Sequence, residues 1–370
     1  MKRRLIVHLG LHKTGSTSLQ YVLHDNMQQL YDLGFLYPGT GRHPRSHVQH
    51  VLLARAFRNP DEVRAPGGFG LAGDIDRELI SKALLHEIDL SGRTSIILSS
   101  EEFSAMDAES VARFYRQFQS FDVVPVLYVR NFPALAGALY QTYVTHSGVT
   151  DDFAAFEWKL KIRTDLPGIC RDWASGAFNR KIIVRNYDVP GLDILQDFAS
   201  VAGIDTKQLC QTYTTVKLNR TLKPAIVMIL RELRARRVTG SHIDAVRDRL
   251  KGIGHERTKR IVALLNDLRQ EIQEGKIYDL LAELAKVPFR EPQSLLPASL
   301  RAQIMTEYEQ QIAQLKSFDF VDFDRRAAPK KATDQQDAVF IGNLDHAIDA
   351  IGDGGGANER ARPMHNSACV

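Results

Sequence analysis

Leu5-Ile6-Val7-His8-Leu9-Gly10-Leu11-His12-Lys13-Thr14-Gly15-Ser16-Thr17-Ser18-Leu19-Gln20 is the stretch from which the rest of the chain can be placed. An aliphatic run from Leu5 to Leu9 breaks at Gly10, and a small, hydroxyl-rich loop passes into an amphipathic pattern at Leu19, Val22, Leu23, Met27 and Leu30. That order predicts a strand, a turn and the start of a helix. A helix start has backbone N–H groups without partners and carries the positive end of the dipole, so it attracts anions. Lys13 and the hydroxyls of Thr14, Ser16, Thr17 and Ser18 strengthen the attraction, and Gly15 lets the backbone come close. Residues 13–18 are therefore expected to hold a phosphate-type anion.

The chain around this loop has 370 residues, 44% hydrophobic and 25% charged, enough for one large α/β domain with insertions or for two domains. The formal charge of +4 is too small to argue for a nucleic-acid partner. No apolar run approaches the ~20 residues that cross a bilayer. Lys2, Arg3 and Arg4 precede the first apolar run, but that run is too short for a secretory segment and reads as the core strand of a cytoplasmic protein. Cys170, Cys210 and Cys369 have neither metal-ligand nor disulfide-framework spacing, and a reducing compartment is the simplest setting.

Strands are expected at residues 4–10, 94–103, 123–130 and 181–185, with Pro125 an unusual strand residue. Helices are expected at 16–35, 75–88, 108–120, from Pro133 to about Thr145, and at 152–176 and 192–202, with Trp158 and Trp173 in the core. Strands alternating with helices at this pitch mean a parallel sheet covered on both faces, whose ligands bind at the carboxyl ends of the strands. Lys13, Glu101, Glu102, Arg130 and Arg185 all follow strand ends and should converge on one sheet edge.

Residues 42–75 read as a polar loop beside the site, in which His43, His47 and His50 have no acidic or cysteine companion for a metal; contact with an acceptor substrate is its functional reading. Helices without strands are expected at 222–237, 242–251, 256–274 and 276–286, then at 298–316. Between residues 231 and 260 ten Lys or Arg stand against four Asp or Glu, scattered as on a solvated helical surface rather than gathered for an anionic glycan or a membrane. From Ala327 the composition is that of a disordered tail. The domain expectation is thus an α/β core over 1–220, a helical extension over 221–326 and a tail over 327–370.

The nucleotide loop G-x-x-x-x-G-K-[ST] puts its lysine after the second glycine, whereas Lys13 precedes Gly15. His12-Lys13-Thr14-Gly15-Ser16-Thr17-Ser18 instead resembles the 5′-phosphosulfate loop of the sulfotransferases, notably their bacterial carbohydrate-sulfotransferase-like branch. Tyr128-Val129-Arg130-Asn131 resembles the strand end whose arginine holds the 3′-phosphate in that family. The family's serine eight residues on is replaced here by Ala138, with Asn131 and Tyr140 as the substitutes at hand. Lys181 to Tyr187 and Asn219-Arg220-Thr221-Leu222-Lys223-Pro224 add weaker likenesses, so that the resemblance spans about residues 4–225, with an echo at 295–316.

The resemblance implies an α/β, P-loop NTPase-like sulfotransferase fold with a C-terminal helical extension. It implies 3′-phosphoadenosine 5′-phosphosulfate as co-substrate, no required metal, and a hydroxyl or amine on a carbohydrate, glycolipid or other envelope precursor as acceptor. Lys13 would support charge on the bridging oxygen, Thr14, Gly15, Ser16, Thr17 and Ser18 would cradle the 5′-phosphate, and Arg130 would hold the 3′-phosphate. Glu101 or Glu102 would take the acceptor's proton, Glu101 ahead of Glu102. His12 is an alternative base, though beside Lys13 it fits a structural or acceptor-side role better. Two other classes compete: a P-loop kinase or NTPase with a divergent loop, using Glu101 or Glu102 near magnesium, and a non-catalytic nucleotide-binding homologue.

Overall fold

Strand β1 (Arg3–Leu9) stands near the middle of the sheet and leads through the quoted loop into helix α1 (Ser16–Asp25). The computed structural model describes residues 2–42, 47–58, 76–160, 162–174, 181–205, 227, 231 and 295–323. In chain order the remaining elements are α2 (Met27–Asp32), β2 (Phe35–Leu36), α3 (Val51–Phe57), α4 (Arg77–Ser91), β3 (Ser95–Ser100), a 3₁₀ turn at Glu101–Phe103, α5 (Ala108–Gln117) and β4 (Phe121–Val129). They continue with α6 (Phe132–Thr142), α7 (Leu166–Ala174), β5 (Ile182–Asn186), α8 (Ile194–Ala202), α9 (Ala298–Lys316) and β6 (Val321–Phe323).

The six strands form one sheet in the order β2-β3-β1-β4-β5-β6, with every pairing parallel. From β1 the chain fills one side of the sheet with β2 and β3, then crosses to β4 on the other side. The loop after β1 therefore lies where the strand order reverses, the position at which open α/β sheets bind ligands. Pro125 occupies a central strand opposite Val7, but pairing with β5 begins only at Val126, where the ladder no longer involves the proline nitrogen.

Both sheet faces are covered. On one, Ile6, Ile97, Val126 and Tyr128 pack with Leu19, Leu23, Leu30 and Phe198. On the other, an aromatic cluster includes Phe57, Phe114, Phe118 and Trp173, with Phe114 and Phe118 ring centres 4.7 Å apart. Trp158 and Trp173 are buried, as the sequence predicts.

Several elements differ from expectation. The helix expected over 16–35 divides at Asn26, whose buried Nδ2 donates to the Val22 carbonyl, and the chain then enters the short strand β2. Among the described residues of 152–176 the α-helix runs only over Leu166–Ala174: Asp165 accepts from the Gly168 N–H and starts α7, while a short 3₁₀ turn stands at Trp158–Leu160 and Phe153 and Phe156 pack as a turn against Tyr140. Strand β6 stands outside the expectations; its sequence signal is the short alternation Val321-Asp322-Phe323.

The chain divides into two compact units, one of Met1–Ser147, Asp151–Thr221 and Ser294–Asp334, the other of Gly148–Thr150, Leu222–Gln293 and Gln335–Val370. Helix α9 and β6 fall in the unit that holds the sheet, where β6 pairs with β5 at the sheet edge. The helices expected at 222–237, 242–251, 256–274 and 276–286, the tail over 327–370 and the Asn219–Pro224 likeness lie outside the described residues, save Val227 and Arg231. So does most of 43–75.

Candidate active site

The ends of β1 and β3 are tied together, and the tie builds the site. Gly10 N–H donates to the Ser100 carbonyl at 3.1 Å, and the Ser104 hydroxyl reaches both the Gly10 carbonyl at 3.1 Å and the Glu101 carbonyl at 2.8 Å. A Cβ on Gly10 would stand 3.0 Å from Ser16 Oγ and 3.1 Å from Glu101 Cγ, so the absence of a side chain there lets Glu101 approach the loop.

The loop itself divides its hydroxyls by task. Thr14 and Ser16 are buried and turn inward, Thr14 Oγ1 donating to the Leu11 carbonyl at 2.6 Å and Ser16 Oγ to the same carbonyl at 3.3 Å. Thr17 and Ser18 are half-buried on the first turn of α1. Helix α1 has no side-chain cap, and its first N–H groups remain open to an anion. Lys13 takes a left-handed backbone, φ 64°, and Gly15 another, φ 78°. Arg130 fixes this conformation: its Nη1 donates to the Lys13 carbonyl at 2.8 Å.

Glu101 and Glu102, adjacent in the 3₁₀ turn, have different surroundings. Glu102 is gripped by α3, with Arg55 Nη2 on Oε1 at 2.8 Å and Arg58 Nη1 on Oε2 at 2.5 Å. Both its oxygens are therefore engaged by guanidinium groups. Glu101 faces the loop, its Oε2 2.8 Å from His12 Nδ1. Burial pushes the Glu101 carboxyl up, but the charge and hydrogen bond of His12, with help from Lys13 and His8, outweigh it and hold the group below the usual carboxylate range. For His12, burial favours the neutral ring, yet Glu101 and Glu102 outweigh burial and Lys13 and raise the imidazole above its ordinary value. Lys13 is lowered, first by burial and then by Arg130, against the opposing pull of Glu101.

At the end of β4, Arg130 also lies 3.7 Å from Asp188 and 5.5 Å over the Tyr187 ring. It stands beside the loop, joined to it through the Lys13 carbonyl. The two residues expected to stand in for the missing serine are otherwise engaged. Asn131 caps α6 by accepting from the Ala134 N–H at 2.9 Å, and Tyr140 is buried with its hydroxyl on the Asp151 carbonyl at 2.7 Å. Arg185 points instead towards Asp197, 3.8 Å away. Tyr187 had no anticipated role; a Cβ on Gly15 would meet its ring at 3.0 Å, so the tyrosine closes one side of the loop.

The histidines of the polar loop part company. His50 is fully buried, and its imidazole, lowered to about 4 chiefly by burial, accepts from the Ser99 N–H and contacts the Pro38 carbonyl at 2.9 Å. It is a structural link between β3 and the Pro38 turn, not an acceptor contact. His43 lies outside the described residues. Among the described residues no group of three or more His, Cys, Asp and Glu is placed to hold a metal, and no helix is long and apolar enough to cross a membrane.

No family model matches the chain. No curated protein matches it either. Among solved structures it is similar to the crystal structure of a sulfotransferase from Alicyclobacillus acidocaldarius, with 17% identity and a TM-score of 0.39 over 70% of this chain and 99% of that one.

Proposed function

We propose that the chain is a sulfotransferase that moves a sulfuryl group from 3′-phosphoadenosine 5′-phosphosulfate to a hydroxyl or amine of a carbohydrate-type acceptor. The observation that carries the reading is the rim formed by Lys13, the uncapped start of α1 and the Glu101–His12 pair at the reversal point of a parallel sheet. Its sequence, with lysine ahead of glycine, resembles a phosphosulfate loop and not a nucleoside-triphosphate loop.

A sulfuryl group carries one negative charge, fewer than a transferring γ-phosphoryl group, so a lysine and oriented N–H groups suffice without a metal clamp. The open N–H groups at the start of α1 and the hydroxyls of Thr17 and Ser18 hold the 5′-phosphate. Lys13 sits at the leaving oxygen and supports the charge that develops there. Arg130 serves the far phosphate from the side of its guanidinium that does not hold the loop. The acceptor's proton leaves at the Glu101–His12 pair.

Calorimetry tests the reading. Adenosine 3′,5′-bisphosphate should bind in the presence of a chelator, and ATP with magnesium should bind more weakly. Lys13→Ala should lower transfer of labelled sulfate by at least about a hundredfold while the protein stays folded. Preference for ATP with magnesium, or undiminished transfer by Lys13→Ala, would overturn it.

A further inference from the structure

We propose that the proton acceptor is Nε2 of His12, and that Glu101 is a positioning residue acting through the imidazole. The inference rests on the sulfuryl-transfer reading above and names the base within that site.

The geometry is that of an oriented imidazole. Glu101 Oε2 lies 2.8 Å from Nδ1 and fixes the proton of the neutral ring on that nitrogen. Nε2 then carries the lone pair, and no described residue hydrogen-bonds to it. The His12 side chain is 40% exposed against 23% for Glu101, so the imidazole is the member of the pair that a substrate meets. The pair is also built in: the Gly10 N–H, the Ser104 hydroxyl and the close approach at Gly10 hold the two strand ends together.

The basicities agree with this division. Glu101 is held in its ionised form and is a weak proton acceptor. His12 is raised, because the carboxylates of Glu101 and Glu102 outweigh burial and the ammonium of Lys13, the other charged groups facing it. Of the two groups, the imidazole is thus the stronger base. In the step, the acceptor oxygen or nitrogen bonds to sulfur while the bond from sulfur to the bridging oxygen breaks. The electron pair stays on the leaving 5′-phosphate beside Lys13, and the acceptor's proton passes to Nε2. The resulting imidazolium is balanced by Glu101 and later loses its proton to water.

Two measurements on the full chain test the assignment. The first is ¹⁵N NMR of protein labelled at its imidazole nitrogens, with the His12 signals identified by their loss in His12→Gln. At high pH Nε2 should resonate as the bare nitrogen, and the His12 titration should move to lower pH in Glu101→Gln. A protonated Nε2, or a titration unmoved by Glu101→Gln, would overturn the assignment.

The second is hydrolysis of the labelled phosphosulfate donor with water in the acceptor's place. His12→Gln should lower turnover by about a hundredfold or more while adenosine 3′,5′-bisphosphate binds within about threefold of the unmodified protein. Glu101→Gln should lose less, and its rise of rate with pH should shift to lower pH. Undiminished hydrolysis by His12→Gln, with the bisphosphate bound, would overturn the base assignment alone. Failure of the unmodified protein to bind the bisphosphate would overturn the sulfuryl-transfer reading and this inference together.

Discussion

Lys13 takes a left-handed backbone that side-chain-bearing residues seldom adopt, two residues before Gly15 does the same. Such a conformation costs roughly 1–2 kcal/mol per residue. It is held from outside by Arg130 on the Lys13 carbonyl. The strain gives a test that separates the backbone at this position from its ammonium group. Lys13→Gly and Lys13→Ala both remove the ammonium, but only glycine relieves the strain. After allowing roughly 0.5–1 kcal/mol for the greater chain entropy of unfolded glycine, Lys13→Gly should be the more stable by about 0.5–1 kcal/mol. Urea unfolding of the two variants measures the difference, and equal stability would show that the loop does not hold this backbone in solution. The passage from strand to loop to helix start over residues 5–20 is legible in the sequence, because the aliphatic run, the break at Gly10 and the amphipathic pattern that follows are local signals. The inward turn of Thr14 and Ser16 is not, because it depends on the Leu11 carbonyl facing back into the loop.

At the scale of elements, the two adjacent glutamates were legible as strand-end carboxylates, but their division of labour was not. Helix α3 makes that division. It brings Arg55 and, just past its end, Arg58 onto Glu102, from more than forty residues upstream, and no local spacing shows that the two guanidinium groups arrive there. Glu102 therefore fastens α3 to the 3₁₀ turn, and Glu101 on the same turn is left to face His12. Glu102→Gln should destabilise the protein by about 3 kcal/mol, since it removes the carboxylate charge that faces the buried Arg55 guanidinium and also binds Arg58. Its effect on donor hydrolysis should stay within about tenfold, less than the loss in His12→Gln. Urea unfolding and the hydrolysis assay read the two effects separately; a stable but inactive Glu102→Gln would move the proton chemistry to Glu102. The same limit explains β6. Its alternating pattern is visible, but its partner β5 lies more than a hundred residues earlier, and sequence alone does not say that the chain returns to that sheet edge.

Across the whole molecule, two fully buried histidines link the sheet to what covers it. His8, in the central strand, shares a 2.8 Å hydrogen bond with the Ser99 hydroxyl, which also accepts from Gln20 at the loop end of the sheet. His50 joins Ser99 of the next strand to Pro38. Burial is the main reason that each imidazole is lowered to about 4, so both are neutral in the folded protein at neutral pH. In the unfolded chain each returns to its ordinary value of about 6.5. Between those two values the unfolded state takes up protons that the folded state does not. The stability supplied by the neutral rings is thus fully present above about pH 6.5 and declines as pH falls towards 4. By pH 4 the loss amounts to about 3 kcal/mol for each histidine. His12 works in the opposite direction, because its raised imidazole binds a proton more readily folded than unfolded, and it offsets part of the decline. The urea midpoint should therefore fall steadily from pH 6.5 to 4.5. His50→Gln should be less stable at pH 7.5, where it loses a buried acceptor for the Ser99 N–H, but its midpoint should fall with pH only about half as steeply. A midpoint that stays level between pH 6.5 and 4.5 would mean that the two rings are not held neutral, and with them the hydrogen bonds of Ser99 to His8 and His50 would be wrong.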